Sequence, residues 1–226
     1  MYAQTTAHGK VPIYPESDGK PMAETDIHAE LLINLRVALD HYFRNDPNVY
    51  VSGNLLVYYV EGNPAKCFAP DVFVVRGVPK GQRRIYKLWE EGVAPQIVIE
   101  LTSRKTWRED LQTKWDLYRE LGVQEYFIFD PEYDYLDDPL VGYQLENGKY
   151  AALDINDGRI KSEVLGLELV DTGQTLRLFD PATGQFLPTT NESALAYQEL
   201  QEAQHHSAEL EATLARYRQQ FGDLPK

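Results

Sequence analysis

The sequence predicts an α/β fold: a β-sheet core flanked by helices, further β-hairpins toward the C-terminus and a long terminal helix. Three observations carry that expectation. Asp71-Val72-Phe73-Val74-Val75 and Ile97-Val98-Ile99-Glu100-Leu101 are short, apolar and rich in β-branched residues, as buried strands are. Helical stripes precede and follow them, at Leu31, Leu35, Ala38, Leu39 and Tyr42 and again at Trp107, Leu111, Lys114, Tyr118 and Leu121. Helix, strands, helix, strand with short connections is an α/β arrangement.

Taken in order, residues 1–24 hold Pro12, Pro15, Gly19 and Pro21 with little periodicity and read as an extended N-terminal arm. Thr25 is the expected cap of a helix that opens with Asp26 and ends at Asn45-Asp46-Pro47-Asn48. Val49–Val51 and Leu55–Val60 read as strands, followed by the two runs above. A basic connection over 76–95 carries a short helix at Ile85–Glu91. Gly122 stops the second helical stripe, and Gln124–Phe129 is the next strand. Asn147-Gly148 between Tyr143–Leu145 and Tyr150–Leu153 is a hairpin turn signal. Strands at Val164–Val170 and Leu176–Phe179 complete a domain over 25–190. Over 191–226, Ala196, Leu200, Ala203, Ser207, Leu210, Leu214, Tyr217 and Phe221 form a heptad seam. It suits a dimerising or partner-binding helix, or a terminal helix packed on its own domain.

Composition narrows the functional classes. The 226 residues are 43% hydrophobic, enough for a packed core, and no run approaches the roughly 20 apolar residues of a membrane span. The opening Met1-Tyr2-Ala3-Gln4-Thr5 has neither a basic nor an apolar signal region, and Cys67 is the single cysteine. A cytoplasmic protein without disulfides or a cysteine-based zinc site is expected. The net charge of −13 argues against nucleic acid, but its distribution does not. Residues 76–119 carry ten Lys/Arg against six acids, a local +4 that leaves −17 for the rest. A mixed, solvated surface is the alternative reading of that window.

Asp71, Glu100 and Lys114 are charges set in apolar patterns, which is costly unless they are paired or bound to metal. Two carboxylates at strand ends with a lysine nearby suit Mg²⁺ and a phosphodiester. Asp71, Glu100 and the Leu101 carbonyl would hold the ion, and Lys114 would orient the attacking water or stabilise transition-state charge. Each has a duller reading: Asp71 as a turn cap, Glu100 paired with Arg104 or Lys105, Lys114 paired with Asp110 one turn earlier. Glu30 is a further candidate for the metal from the first helix. His28 lacks a second histidine at ligand spacing, and His205-His206 is expected to face solvent. A glycosidase using Asp71 and Glu100 as its carboxylate pair would leave Lys114 without a role.

Pro70-Asp71 followed by Glu100 at a strand end resembles the PD-(D/E)XK nuclease superfamily. More narrowly, the chain resembles the Uma-two family of restriction endonucleases. The segments that carry this are 14–26, Ala69-Pro70-Asp71-Val72-Phe73-Val74-Val75, Pro95 to Ser103, Gly122 to Pro131 and Leu176 to Gly184. The resemblance spans about residues 14–190. It implies a restriction-endonuclease-like core with a central mixed β-sheet, a Mg²⁺-dependent endonuclease activity and DNA as partner. Two cuts across a duplex would need two sites, and the heptad seam offers a contact surface, so a homodimer is expected. The superfamily's E-x-K lysine would fall at 102, which is Thr102; in the Uma-type pattern the lysine comes from the next helix, where Lys114 stands. The alternative is a catalytically inactive nuclease fold serving as a DNA-binding or oligomeric scaffold.

Overall fold

A computed structural model describes residues 12–17, 19 and 25–222; most of the expected arm lies outside the described residues. The chain divides after Leu187 into two compact units. In the first, α1 (Asp26–Tyr42) starts as expected at Thr25, whose hydroxyl accepts the His28 N–H. Then come β1 (Val49–Ser52), β2 (Val57–Tyr58), β3 (Cys67–Phe68), β4 (Val72–Arg76), β5 (Tyr86–Lys87), α2 (Leu88–Glu91) and β6 (Ile97–Leu101). The helical stripe at 107–121 consists of α3 (Trp107–Glu109), a π-helical turn over Asp110–Lys114 and α4 (Trp115–Leu121). Gly122 ends it in the left-handed conformation, φ 80°, where a glycine costs least. β7 (Glu125–Phe129), β8 (Leu140–Glu146), β9 (Lys149–Ala152), β10 (Arg159–Ser162), β11 (Leu167–Asp171), β12 (Leu176–Asp180) and β13 (Gln185–Phe186) complete this unit.

Among the described residues the central sheet has six strands in the order β1-β4-β6-β7-β8-β9. It is mixed: β6 and β7 run parallel, joined by the helical segment between them, and every other neighbour is antiparallel. A four-stranded antiparallel sheet, β10 to β13, and a small sheet β3-β2-β5 accompany it. β6 and β7 are buried on both faces, which is why their sequences are apolar runs without alternation. Pleating still sorts them. Val72, Val74, Ile97, Ile99, Phe127 and Phe129 share one core with α1 and the four-stranded sheet. Phe73, Val75, Val98, Tyr126 and Ile128 share the other with Tyr118, Val57, Phe68 and Tyr86.

Several boundaries differ from the sequence expectation. Leu55–Val60 yields only the two-residue β2, and the expected helix at Ile85–Glu91 opens as β5, whose Tyr86 and Lys87 pair with β2. Arg159–Ser162 is a strand that the sequence pattern did not reveal, being mostly polar. The Asn147-Gly148 hairpin is present, both residues at positive φ as a tight primed turn requires. The second unit contains α5 (Thr190–Phe221), started by a capping box between Thr189 and Glu192. No residue of α5 is buried.

Candidate active site

The register of β4 on β6 sets the two carboxylates against each other. Val72 stands opposite Ile99 and Phe73 opposite Val98, so one step further Asp71 faces Glu100. The Asp71 N–H lies 3.4 Å from Glu100 Oε2, and Asp71 Oδ2 accepts the Leu101 N–H at 2.8 Å. Gly53 permits this approach: a Cβ there would stand 2.2 Å from the Asp71 carbonyl oxygen. Glu100 is fully buried on the tyrosine-rich face, where Tyr118 donates its hydroxyl hydrogen to Oε1.

Lys114 reaches the same point from the helical segment. Its Nζ is 2.9 Å from Glu100 Oε2 and 2.9 Å from Asp110 Oδ1. The turn that carries it is π-helical, one residue wider than an α turn, a local feature often found at functional sites. Thr102, two residues beyond Glu100, is buried and donates to Asp110 Oδ2 at 2.8 Å. Thr102 is thus joined to Lys114 through Asp110. Of the duller readings, the partner of Glu100 is Lys114 and not Arg104 or Lys105, while the Asp110–Lys114 pair exists but inside the protein.

From the opposite face of the sheet, α1 brings in His28. Its Nε2 lies 2.9 Å from the Leu101 carbonyl oxygen and 3.5 Å from Asp71 Oδ2. Glu30 is exposed, and His205 and His206 are exposed on α5. Sequence reasoning therefore passed over His28 and treated Asp110 as a surface partner. Both carried a usable signal: His28 extends the Leu31, Leu35, Leu39 stripe by one turn, and Asp110 is one turn from Lys114.

The environments push the two carboxyls apart. Glu100 is raised to about 8, chiefly by loss of water, with Asp71 and Asp110 adding to the shift and Lys114 opposing it. Asp71 also loses water, but the bonds and charges of His28, Lys114 and the Leu101 N–H outweigh that and hold it below the ordinary carboxylate value. Burial pulls Lys114 down, yet Glu100, Asp110 and Asp71 more than reverse it, so the ammonium stays charged. Among the described residues no group of three or more His, Cys, Asp or Glu side chains is gathered to hold a metal. With the Leu101 carbonyl as the third donor, the set is carboxylate and carbonyl oxygen, which suits a hard divalent cation. Another buried acid, Glu125, serves the fold. It accepts bonds from Ser162 and from the Glu163 and Val164 N–H groups, tying β7 to the β10 end of the other sheet.

Residues 12–177 match a family described as Uma2, putative restriction endonuclease, and the chain belongs to that family. No curated protein matches it. Among solved structures it is similar to a putative nuclease belonging to DUF820 from Anabaena variabilis ATCC 29413, at 15% identity. That likeness covers 65% of this chain and 76% of the other, with a TM-score of 0.47. No helix among the described residues is long and apolar enough to cross a membrane.

Proposed function

We propose that this protein is a Mg²⁺-dependent DNA endonuclease, acting in the cytoplasm, with Asp71, Glu100 and the Leu101 carbonyl as metal ligands and Lys114 as catalytic residue. The observation that carries the reading is the convergence of Asp71, Glu100 and Lys114 at one end of β4 and β6. Family membership supports the reaction class. A divalent ion bound there would draw charge from the phosphoryl group and lower the pKa of water. Lys114, fixed between Glu100 and Asp110, would orient the attacking water and stabilise charge on the transition state. Tyr118 keeps Glu100 turned toward Lys114 through its hydroxyl. Arg104, Lys105 and Arg108 are exposed just beyond Leu101 in the chain and form no ion pair among the described residues, so they would meet backbone phosphates. The same reading makes the protein a homodimer joined by the seam of α5, since cutting both strands of a duplex takes two sites.

Plasmid nicking under Mg²⁺ titration tests it. Wild type should nick, Asp71→Ala should neither bind the ion nor nick, and Lys114→Ala should retain its fold while losing about 100-fold or more in rate. Salt-sensitive DNA binding by wild type without nicking at any Mg²⁺ concentration would replace this reading with that of an inactive scaffold.

A further inference from the structure

His28 does more than cap a core. The Thr25 hydroxyl fixes the first turn of α1 through the His28 N–H, and the side chain is only 12% exposed. Its Nε2 faces two oxygen atoms at once, the Leu101 carbonyl at 2.9 Å and Asp71 Oδ2 at 3.5 Å. A hydrogen bond to Leu101 explains the first distance, but the second is at the outer limit for one. Both are spacings between neighbouring ligands on one ion. With metal–ligand bonds of about 2.1 Å, atoms at right angles stand about 3 Å apart, and atoms at a tetrahedral angle about 3.4 Å. Glu100 borders this triangle, its Oε2 3.4 Å from the Asp71 N–H and 2.9 Å from the Lys114 ammonium.

We infer that His28 Nε2 is a ligand of the divalent cation, alongside Asp71 Oδ2 and the Leu101 carbonyl, and that this nitrogen decides which ion the site prefers. The inference rests on the metal-dependent reading above and deepens it. Mg²⁺ and Ca²⁺ take oxygen, whereas Mn²⁺ and Co²⁺ accept imidazole and bind more strongly along the divalent series. The site should therefore take Mn²⁺ in preference to Mg²⁺. A His28 that binds metal through Nε2 carries its proton on Nδ1; without the ion, an Nε2–H donates to Leu101.

The test is Mn²⁺ and Mg²⁺ binding to the full chain by calorimetry, with pulsed EPR of the Mn²⁺-loaded protein. Wild type should bind Mn²⁺ more tightly and show coupling to a directly bound ¹⁴N. His28→Ala should lose that coupling and weaken Mn²⁺ at least about tenfold, the loss seen even when an outer-shell partner is removed. His28→Gln keeps an N–H donor for Leu101 without an imidazole, so the same loss in that variant separates ligation from support of the fold. His28→Glu should restore binding with the preference turned toward Mg²⁺. Unchanged Mn²⁺ affinity in the Ala and Gln variants with no nitrogen coupling in wild type overturns the role of His28 and leaves the metal-dependent reading standing. Wild type that binds neither ion overturns both.

Discussion

Glu100 has no exposed surface, and a carboxyl held near 8 is one that keeps its proton through the neutral range when no cation is present. In an unfolded chain it would titrate at the ordinary value of 4.5. Between about pH 4.5 and 8 the folded protein therefore binds more protons than the unfolded one, and this residue's contribution to stability falls as pH rises. Glu100→Gln keeps a neutral side chain of the same shape. In EDTA it should melt close to wild type near pH 4.5 and increasingly above it toward pH 8, each kcal/mol appearing as about 2–4 °C. A constant difference across that range in thermal melts would show that Glu100 ionises as an ordinary carboxylate. Asp71 is shifted in the opposite sense. At this scale the sequence was informative where a charge broke an apolar run, as Asp71, Glu100 and Lys114 do. It was poor where the polar residue sat at an element's end: His28 in a first helical turn and Asp110 beside Glu109 look like solvated surface until the register is known.

Two elements hold the site in shape, and neither is visible as such in the residue pattern. The spacing of Trp107, Leu111, Lys114, Tyr118 and Leu121 describes an uninterrupted α-helix, yet the turn at Asp110–Lys114 is widened. Periodicity cannot report this, because the cause is tertiary: burying Asp110 against Thr102 and the Lys114 ammonium against Glu100. The loop after β1 is the second. A Cβ at Gly53 would lie 2.2 Å from the Asp71 carbonyl oxygen and 3.6 Å from the Arg36 side chain, and a backbone atom cannot step aside as a side chain can. Gly53→Ala should cost about 1–3 kcal/mol, as overpacking commonly does, and displace Asp71 from the Leu101 N–H. Metal affinity should fall together with the melting temperature. A variant that melts lower but binds Mg²⁺ as wild type does would show that the Asp71 position tolerates the shift. In the sequence Gly53 only lies between two strand-like runs; what the glycine is for needs the neighbouring strand.

For the whole molecule, the sequence sets the sheet-forming part apart from the terminal helix by a change of period, two-residue and buried-run patterns giving way to heptads. What occupies the seam was not legible, since Ala196, Ala203 and Ser207 are compatible with several partners. The helix is 32 residues, about 48 Å at 1.5 Å per residue. It leaves Leu200, Leu210, Leu214, Tyr217 and Phe221 at 42–70% exposure on one stripe. A surface of that kind, on a helix with its own capping box, is better covered than left in water, and a second copy supplies the same seam by symmetry. The net charge of −13 disfavours unspecific association between copies elsewhere on the surface. Leu210→Glu with Leu214→Glu places charges in the seam and leaves the sequence of the sheet unit as it is. Light scattering should give twice the chain mass for wild type and a single chain for the variant, with the sheet unit's melting unchanged. On plasmid DNA the variant should accumulate nicked circles where wild type proceeds to linear product. A wild-type chain that runs as a monomer at micromolar concentration would remove the dimer and leave each copy as an independent nicking site.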